Sequence, residues 1–273
     1  MEEFSVKSDQ DPQDRRQMDQ SIRDAYEGGQ IYKTDTINLK PREDAQSYVE
    51  RLLADKIATV RAHARAGLLV DLCCGNGEHL FALEGLNLEC VGIDFSRPFI
   101  QHARDAAARR NLTNMRFEVG DARELPLADN SVTTLYSLSS LYIIPGLDEV
   151  VREVSRVLKP GGRCILDLAN SRSINAICVR AYTELPPSFH IPVAEMKRLC
   201  SLNGLHIVDH RRFQILPLWA DRPRWLSPVL HPIWKSILSR RLGGRMLDEW
   251  ISSMPVLRHF AFRHLLVCEK RTF

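Results

Sequence analysis

The sequence predicts an α/β fold in which a mostly parallel, doubly wound sheet carries helices on both faces. Two observations support this prediction. Short apolar runs alternate along the chain with segments whose apolar residues recur at helical spacing. The first apolar run, residues 68–70, also leads directly into a turn of small residues at 73–77. Because ligands bind at the carboxyl ends of parallel strands, that turn predicts a small-molecule site.

The individual elements follow in chain order. Residues 41–63 predict a helix because their apolar residues line one face, and Ser96 is placed to cap a helix over 96–109. Further helices are predicted at 148–158, 174–182 and 192–200, and a turn at 158–162. Strands are predicted at 68–72, 88–93, 115–119, 132–138, 163–168, 205–213 and 262–268.

The composition is typical of a soluble globular protein. The 273 residues are 44% apolar and 26% charged, and a net charge of +3 is too small to indicate a nucleic-acid binder. Seven cysteines lack a Cys-x-x-Cys pair and zinc spacing, which indicates packed thiols in a reducing cytoplasm. The opening Met-Glu-Glu-Phe-Ser lacks a signal-peptide pattern, and no apolar stretch approaches the roughly 18 residues of a membrane span.

The glycine turn is compatible with two kinds of adenosine-containing cofactor, a dinucleotide and an adenosyl sulfonium. Gly75 and Gly77 let the backbone turn tightly and approach a ligand with no Cβ in the way. The dinucleotide fingerprint is Gly-x-Gly-x-x-Gly, and counting from Gly75 puts Leu80 in the place of its third glycine. An NAD-dependent oxidoreductase therefore stays as an alternative that Leu80 disfavours.

The turn instead resembles the first motif of class I S-adenosylmethionine (SAM)-dependent methyltransferases. That motif is an acidic residue followed by x-Gly-x-Gly-x-Gly, and Asp71, Cys73, Gly75 and Gly77 stand in those places. Cys73 departs from the usual glycine, and its Cβ would be strained if the position needs a positive φ. The resemblance implies that these four residues contribute to the cofactor site.

Two more stretches continue the resemblance in the family's order. Residues 91–96 are similar to the second motif, which implies that Asp94 binds the ribose and Phe95 lies beside the adenine. An acidic residue about 20 positions after a glycine turn suits the ribose hydroxyls because a carboxylate accepts from both. After the third strand, the family places a carboxylate and the next backbone N–H near the adenine, here Asp121 and Ala122.

The resemblance spans residues 67–168 and has further implications for fold and chemistry. It implies a Rossmann-like, seven-stranded sheet whose last strand is antiparallel and inserted between its neighbours. It implies SAM as cofactor and S-adenosylhomocysteine as product. In the family, the region after the fourth strand faces the sulfonium and the acceptor, which makes Ser137 a cofactor contact and Tyr142 an acceptor-facing candidate.

Methyl transfer is an in-line displacement that depends on alignment and exclusion of water, and a base matters only for a protonated acceptor. His190 is the candidate imidazole for that role. No carboxylate cluster indicates a metal. The Asp/Asn-Pro-Pro-Tyr/Phe motif of amide- and base-directed methyltransferases is missing after the fourth strand. We therefore expect a small-molecule acceptor, with oxygen preferred as the methylated atom.

The chain divides into four parts. We expect residues 1–20 to be a mobile polar tail and residues 21–64 to be a lid and helix, with Tyr32 as a cofactor-facing candidate. The core comprises 65–213 and 262–273. Residues 214–261 form an insertion that is expected to cap the acceptor site, because a hairpin between two strands needs far fewer residues.

The insertion has an unusual charge pattern. From 222 to 247 there are six Lys or Arg residues and no Asp or Glu, with Trp225 and Trp234 among them. Helical spacing from Leu230 to Leu242 predicts a basic amphipathic helix, which either caps the substrate or contacts a membrane surface. The acceptor is accordingly expected to be apolar or anionic, including lipid- or saccharide-linked metabolites. A SAM-binding partner protein without turnover remains the alternative from another functional class.

Overall fold

A computed structural model of the protein describes residues 12–27, 47–86, 88–182 and 188–272. Within those ranges the chain forms nine strands. In chain order they are β1 (Leu68–Leu72), β2 (Glu89–Asp94), β3 (Met115–Val119), β4 (Val132–Ser137), β5 (Leu158–Ala169), β6 (Leu205–Phe213), β7 (Arg241–Leu242), β8 (Arg245–Met246) and β9 (Arg263–Lys270).

Seven of these strands form one sheet in the order β3-β2-β1-β4-β5-β9-β6. The first five strands pair in parallel, whereas β9 lies between β5 and β6 and is antiparallel to both. This arrangement confirms the predicted sheet and its inserted last strand. The strand order reverses between β1 and β4, so the fold creates a crevice at the carboxyl ends of those two strands.

Ten α-helices flank the strands in the same ranges. They are α1 (Pro12–Glu27), α2 (Tyr48–His63), α3 (Glu78–Phe81), α4 (Arg97–Arg109), α5 (Leu147–Val157), α6 (Ile174–Val179), α7 (Val193–Leu202), α8 (Ser227–Leu230), α9 (Ile233–Leu238) and α10 (Leu247–Ser252). Ser96 caps α4 as predicted, its hydroxyl accepting from the N–H of Phe99, and Ser47 and Glu50 form a reciprocal capping box at α2.

Both faces of the sheet are covered by apolar side chains from these helices. On one face, buried residues of α2 and α4 pack in one core cluster with β1, and Leu52, Val60 and Ile100 are among them. On the other face, α5 and α7 contribute Val154 and Met196 to a second cluster. The two clusters confirm the predicted helices on both faces and explain why the strands are apolar on both sides.

The structure differs from the prediction at the N-terminal end. Helix α1 begins at Pro12, whereas the polar composition of residues 1–20 predicts a mobile tail. Among the described side chains of this helix, Ile22 is buried and Tyr26 packs against Phe95 and Phe99, and local composition could not reveal such tertiary contacts. Residues 1–11 and 28–46, which include the remainder of the predicted tail and Tyr32, lie outside the described residues.

The insertion between β6 and β9 also differs from the prediction. The single amphipathic helix from Leu230 to Leu242 is replaced by α8, α9, the β7–β8 hairpin and α10. Pro232 separates α8 from α9, and Gly243 and Gly244 make the hairpin turn with φ values of +59° and +81°. Among the described residues, no helix combines the length and apolar character that crossing a bilayer requires.

Candidate active site

A cavity of about 670 Å³ opens at the carboxyl ends of the central strands. Its lining comes from the loops after β1, β2, β3 and β4, from one side of α1 and α2, and from the start of β9. This volume and position are typical of ligand sites in open parallel sheets. The predicted site residues that line it are Cys73, Gly75, Asp94, Phe95, Asp121, Ala122, Tyr142 and His190.

The turn after β1 has the left-handed backbone conformation that glycine adopts most easily. Cys73, Gly75 and Gly77 have φ values of +61°, +52° and +84°, so the Cβ of Cys73 is in the strained position that the sequence suggested. A Cβ at Gly75 would meet no atom within 4 Å, whereas one at Gly77 would lie 2.8 Å from the Phe117 ring. Gly75 therefore keeps the cavity open, and Gly77 is required by packing.

Asp94, at the end of β2, ties this turn to the next loop. Its Oδ2 accepts from the N–H of Gly75 and its Oδ1 accepts from the N–H of Ser96, both at 2.9 Å. Burial raises the pKa of Asp94, and the two backbone donors oppose that shift. Each carboxylate oxygen keeps lone pairs for further donors, which suits the adjacent hydroxyls of a ribose.

Asp121, after β3, is held by arginines from two directions. Arg123 donates to both of its carboxylate oxygens, and Arg23 of α1 lies 2.5 Å from Oδ2. Burial raises the pKa of Asp121, but the hydrogen bonds and charge of Arg123 and the charge of Arg23 outweigh burial and lower it to about 2. Asp121 is therefore a firmly ionised carboxylate at the rim of the cavity.

Helix α1 covers the same end of the cavity. The Tyr26 ring packs edge-on against Phe95, with centroids 5.6 Å apart, and the Arg23 guanidinium lies 5.1 Å from the Phe95 centroid. The sequence predicts a lid over the cofactor in this part of the chain, with Tyr32 as the cofactor-facing residue. Tyr32 lies outside the described residues. The available signal was the helical spacing of Ile22, Arg23 and Tyr26, which marks one face of a helix.

Three predicted cofactor residues do not line the cavity. Asp71 and Ser137 are buried at the ends of β1 and β4, and Gly77 packs against Phe117. Burial raises the pKa of Asp71 well above its usual range, and the hydroxyl of Tyr136 opposes that shift. These residues support the floor of the cavity, and their direct contact with a ligand remains a prediction.

Tyr142 and His190, the two candidate catalytic residues, do come together at the other end of the cavity. Their ring centroids are 5.8 Å apart, and His190 also contacts the Phe262 ring at 5.4 Å. Desolvation, with a contribution from Arg263, lowers the pKa of His190 to about 4, so its imidazole is neutral near pH 7. A neutral imidazole is able to accept a proton.

Sequence reasoning missed a buried charged cluster beside these rings. Lys56 Nζ lies 2.6 Å from Asp167 Oδ2 and 3.1 Å from the Ser139 hydroxyl, and the Asp167 carboxylate also accepts from the N–H of Ser139. Arg263 Nη1 is 3.9 Å from the same carboxylate oxygen. The signal in the sequence was a charged residue inside two otherwise apolar patterns, at Lys56 in α2 and Asp167 in β5.

Backbone strain also concentrates at the cavity. In the described residues, five non-glycine positions have positive φ, and three of them, Cys73, Ser139 and Gln214, line the cavity. Gln214 is held in place by Asp248, whose Oδ2 accepts from its N–H at 2.7 Å. Strain of this kind is found where the surrounding structure must fix a functional geometry.

Most of the insertion lies outside the lining of the cavity. Of residues 214–261, all described, only Gln214 and Trp219 contribute to its lining. The remainder packs beside α2 and β6, where Tyr48 donates to Asp248 at 2.8 Å and Arg241 pairs with Asp55 at 2.7 Å. Residues 220–261 thus lie outside the lining of the cavity, where these polar contacts hold them beside α2 and β6, and their role as a cap stays a prediction.

The sheet order, the inserted antiparallel β9 and the glycine turn tied to an acidic residue at the end of β2 define the fold as that of a class I SAM-dependent methyltransferase. A family model described as a methyltransferase domain matches residues 65–227. This match covers more than half of the chain. The protein therefore belongs to the methyltransferase-domain family, as the resemblance of its motifs predicts.

Curated relatives are methyltransferases by name, and two of the three names include a small-molecule substrate. The chain is 34% identical over 116 residues to 27-O-demethylrifamycin SV methyltransferase of Amycolatopsis mediterranei, covering 42% of this chain and 43% of that protein. It is 30% identical over 181 residues to Methyltransferase GfsG of Streptomyces halstedii, covering 66% and 59%. It is 35% identical over 99 residues to demethylmenaquinone methyltransferase of Staphylococcus aureus, covering 35% and 40%. The matches thus span only about half of these relatives.

Solved structures share the fold at lower identity. The [4+2]-cyclase SpnF matches with a TM-score of 0.64 and 18% identity, covering 92% of this chain and 96% of that chain. A geranyl diphosphate C-methyltransferase from Streptomyces coelicolor matches with a TM-score of 0.60 and 20% identity, covering 93% and 98%. These names include a cyclase and a methyltransferase, so the fold alone does not decide the reaction.

Proposed function

We propose that the protein transfers a methyl group from SAM to a small-molecule acceptor. The observation that carries this proposal is one cavity lined by two chemically different groups of residues. The glycine turn, Asp94 and the Phe95 ring form the group that we call the cofactor end, and Tyr142 and His190 belong to the group that we call the acceptor end. Family membership supports the reaction class, and the two ends suit a nucleoside and an acceptor.

The residues present fit an adenosyl cofactor. Asp94 is oriented by two backbone donors and keeps lone pairs for hydroxyl groups, Gly75 leaves room for a close approach, and Phe95 offers an apolar ring face. When bound, SAM supplies an electrophilic methyl group on a cationic sulfur. Helix α1 would exclude water from this end through Tyr26, and Arg23 would hold the helix to Asp121.

We further propose an oxygen atom as the acceptor. A hydroxyl must lose its proton as it attacks, and His190 is the imidazole at the acceptor end that is placed to take it. Its lowered pKa leaves the ring unprotonated near pH 7 and also makes it a weaker base than a free imidazole. Tyr142 would position the acceptor through its ring, which is 5.8 Å from that of His190. In the described part of the chain, no three His, Cys, Asp or Glu side chains are grouped as metal ligands.

A calorimetric titration with SAM and with NAD tests the cofactor assignment. We expect micromolar affinity for SAM, on the order of −8 kcal/mol, and no binding of NAD. Asp94→Ala should weaken SAM binding at least tenfold, whereas Asp105→Ala on the exposed side of α4 should leave it unchanged. Binding of NAD, or equal SAM affinity in both variants, would overturn the assignment.

The rival hypothesis is a partner protein that binds SAM without catalysing methyl transfer. It is motivated by Tyr142 and Ile143, which stand where family members often carry histidines. Incubation with SAM and fractionated small-molecule extracts distinguishes the two. Release of S-adenosylhomocysteine that depends on one fraction supports the enzyme, and SAM binding with no release from any fraction supports the partner.

We also propose that the insertion contacts an anionic membrane surface from the cytoplasm. Its six Lys and Arg residues between 222 and 247 are all exposed, and they alternate with exposed apolar side chains such as Trp225 and Leu242. All seven cysteines are free thiols, which is typical of a reducing compartment. Such a contact would suit a lipid-linked acceptor.

A further inference from the structure

Arg263 is a cation of the acceptor end whose guanidinium has one nitrogen without a hydrogen-bond acceptor among the residues that the structure describes. Its side chain is 11% exposed, its Nη1 is buried, and no described residue accepts a hydrogen bond from that atom. The guanidinium is stacked instead, 4.7 Å from the centroid of Tyr142 and 5.0 Å from that of Phe262. A buried N–H without an acceptor is costly. Nη1 itself is closed to solvent, but the Arg263 side chain lines the cavity, so a ligand oxygen that reaches the guanidinium would relieve this cost.

The neighbouring Asp167 carboxylate forms an ion pair with Arg263 but does not accept a hydrogen bond from its Nη1, and Asp167 Oδ1 is itself buried without a hydrogen-bond partner within the described ranges. Asp167 Oδ2 already accepts from Lys56 Nζ at 2.6 Å and from the N–H of Ser139 at 2.9 Å, while Arg263 Nη1 is 3.9 Å away. Asp167 itself does not line the cavity, whereas Lys56, Ser139 and Arg263 do. The cavity therefore meets the cationic side of this cluster.

The charge balance at the acceptor end is positive. Lys56 and Arg263 lie beside one carboxylate, Asp167, and burial lowers the pKa of Lys56 while the Asp167 charge opposes that shift. Arg180 adds a further cation near His190, and the histidines that face the cluster are His79, His190 and His264. Desolvation lowers the pKa of His79 and of His190 to about 4, with contributions from Lys56 and Arg263 respectively, so both rings are neutral near pH 7. A net positive charge thus remains in a cavity lined by aromatic rings, where water screens it poorly.

From this arrangement we propose that the acceptor carries an anionic oxygen on a planar conjugated frame, and that Arg263 binds that oxygen. A guanidinium donates to a carboxylate, phenolate or enolate oxygen with charge assistance. The rings of Tyr142, Phe262 and Trp219 line the cavity beside it and suit a flat partner. Arg263 is then the residue that selects the acceptor class. This inference rests on the proposed function, because it assigns a substrate class to the same cavity.

Benzoate and its neutral counterpart benzamide are suitable probes, because they share a planar ring and differ in charge. Each is titrated calorimetrically into the protein saturated with S-adenosylhomocysteine. We expect benzoate to bind at least ten times more tightly than benzamide. The preference should shrink at high ionic strength and should disappear in Arg263→Gln. Arg263→Lys, which keeps the charge but loses the planar donor pair, should retain part of it.

Arg258→Gln is the matched control, since this exposed arginine lies outside the cavity and should leave the preference unchanged. Equal binding of the two probes to the wild-type protein, or an undiminished preference in Arg263→Gln, overturns the inference. Titration of S-adenosylhomocysteine into each variant distinguishes a wrong acceptor class from a wrong proposed function. If it binds while the probe preference is missing, only the acceptor class is wrong, and if it binds to no variant, the proposed function fails.

Discussion

Lys56 on α2 and Asp167 on β5 form a buried ion pair, with Nζ and Oδ2 2.6 Å apart. The pair joins the helix that precedes the first strand to the centre of the sheet. Ser139 completes the arrangement from the loop after β4, through its N–H and its hydroxyl. Three elements that are distant in the chain are thereby fixed at the wall of the cavity.

Removing one partner of this pair should destabilise the protein strongly. Lys56→Met leaves the Asp167 carboxylate buried beside Arg263 at 3.9 Å, and we expect a loss of about 3–5 kcal/mol in the free energy of unfolding, measured with urea. The double variant Lys56→Met/Asp167→Leu should recover part of that loss, because no unpaired charge remains. A loss below about 1 kcal/mol in the single variant would contradict this account.

Substituting the two glycines of the turn should separate stability from ligand binding. Gly75→Ala puts a Cβ into open space at a φ of +52°, so we expect about 1–2 kcal/mol of destabilisation and at least a tenfold loss of SAM affinity. Gly77→Ala adds a contact of 2.8 Å with Phe117 to the same backbone strain. It should be the less stable variant in urea, and the reverse order would refute the assigned roles.

Arg23 should hold α1 over the cavity. Its contacts with Asp121 and with the Phe95 ring join this polar helix to the loops after β2 and β3. Because the ion pair is partly exposed, we expect Arg23→Ala to speed amide hydrogen exchange in α1 only about fivefold. Arg16→Ala on the exposed side of the same helix is the control, and equal exchange in the two variants would argue against the role of Arg23.

A buried histidine pair should make stability depend on pH. His264 Nε2 donates to the carbonyl of Ala261 at 3.0 Å, so its Nδ1 accepts from His210 Nε2 at 2.8 Å, and Arg212 donates to His210 Nδ1. Desolvation and nearby cations lower the pKa of His210 to about 2 and that of His264 to about 4. Both rings are therefore neutral in the folded protein.

The sign of the effect follows from these pKa values. Between about pH 6.5, where an unfolded histidine titrates, and about pH 4, the unfolded chain binds more protons than the folded protein. The free energy of unfolding should thus fall by up to about 1.4 kcal/mol per pH unit for each ring as the pH is lowered. Urea unfolding across that range should show a shallower slope for His264→Asn than for exposed His102→Gln. Equal slopes would disprove the link.

Local sequence patterns were sufficient to predict which residues lie together at the cofactor end of the cavity. Gly75, Asp94 and Asp121 each follow a short apolar run, and parallel strands end at the same edge of a sheet. The strand–turn–helix pattern thus determines their neighbourhood without knowledge of distant contacts. Ser137 is buried and does not line the cavity, because a one-residue difference at a strand end decides whether a side chain faces the core, and its contact with the cofactor stays a prediction.

The acceptor end could not be predicted in the same way. Lys56 and Asp167 are 111 positions apart, and their pairing depends on how α2 packs across the sheet. Arg263 belongs to a strand whose position between β5 and β6 follows from topology and not from local pattern. The covering helix α1 was missed for the same reason, since its polar sequence is stabilised by contacts with residues about a hundred positions away.

The exposed apolar side chains of the insertion should direct the protein to anionic vesicles. Trp225 and Leu242 are 69% and 66% exposed among six basic residues, and basic side chains near a membrane each contribute about 1 kcal/mol of attraction. Flotation with phosphatidylserine vesicles should recover the wild-type protein, and vesicles of phosphatidylcholine alone should recover much less. Raising the salt from about 0.1 M to about 1 M shortens the screening length from about 10 Å to about 3 Å and should release it.

Two variants distinguish a membrane contact of the insertion from non-specific adsorption to vesicles. Trp225→Ala combined with Leu242→Ser should lower flotation at least fivefold, because both apolar anchors are lost. Leu202→Ser is the matched control, since Leu202 is 68% exposed on α7, outside the insertion, and its loss should have no effect. Equal recovery of both variants would reject the insertion as a membrane contact. Flotation that persists at high salt and does not require phosphatidylserine would show that charge does not attract the protein to the vesicles.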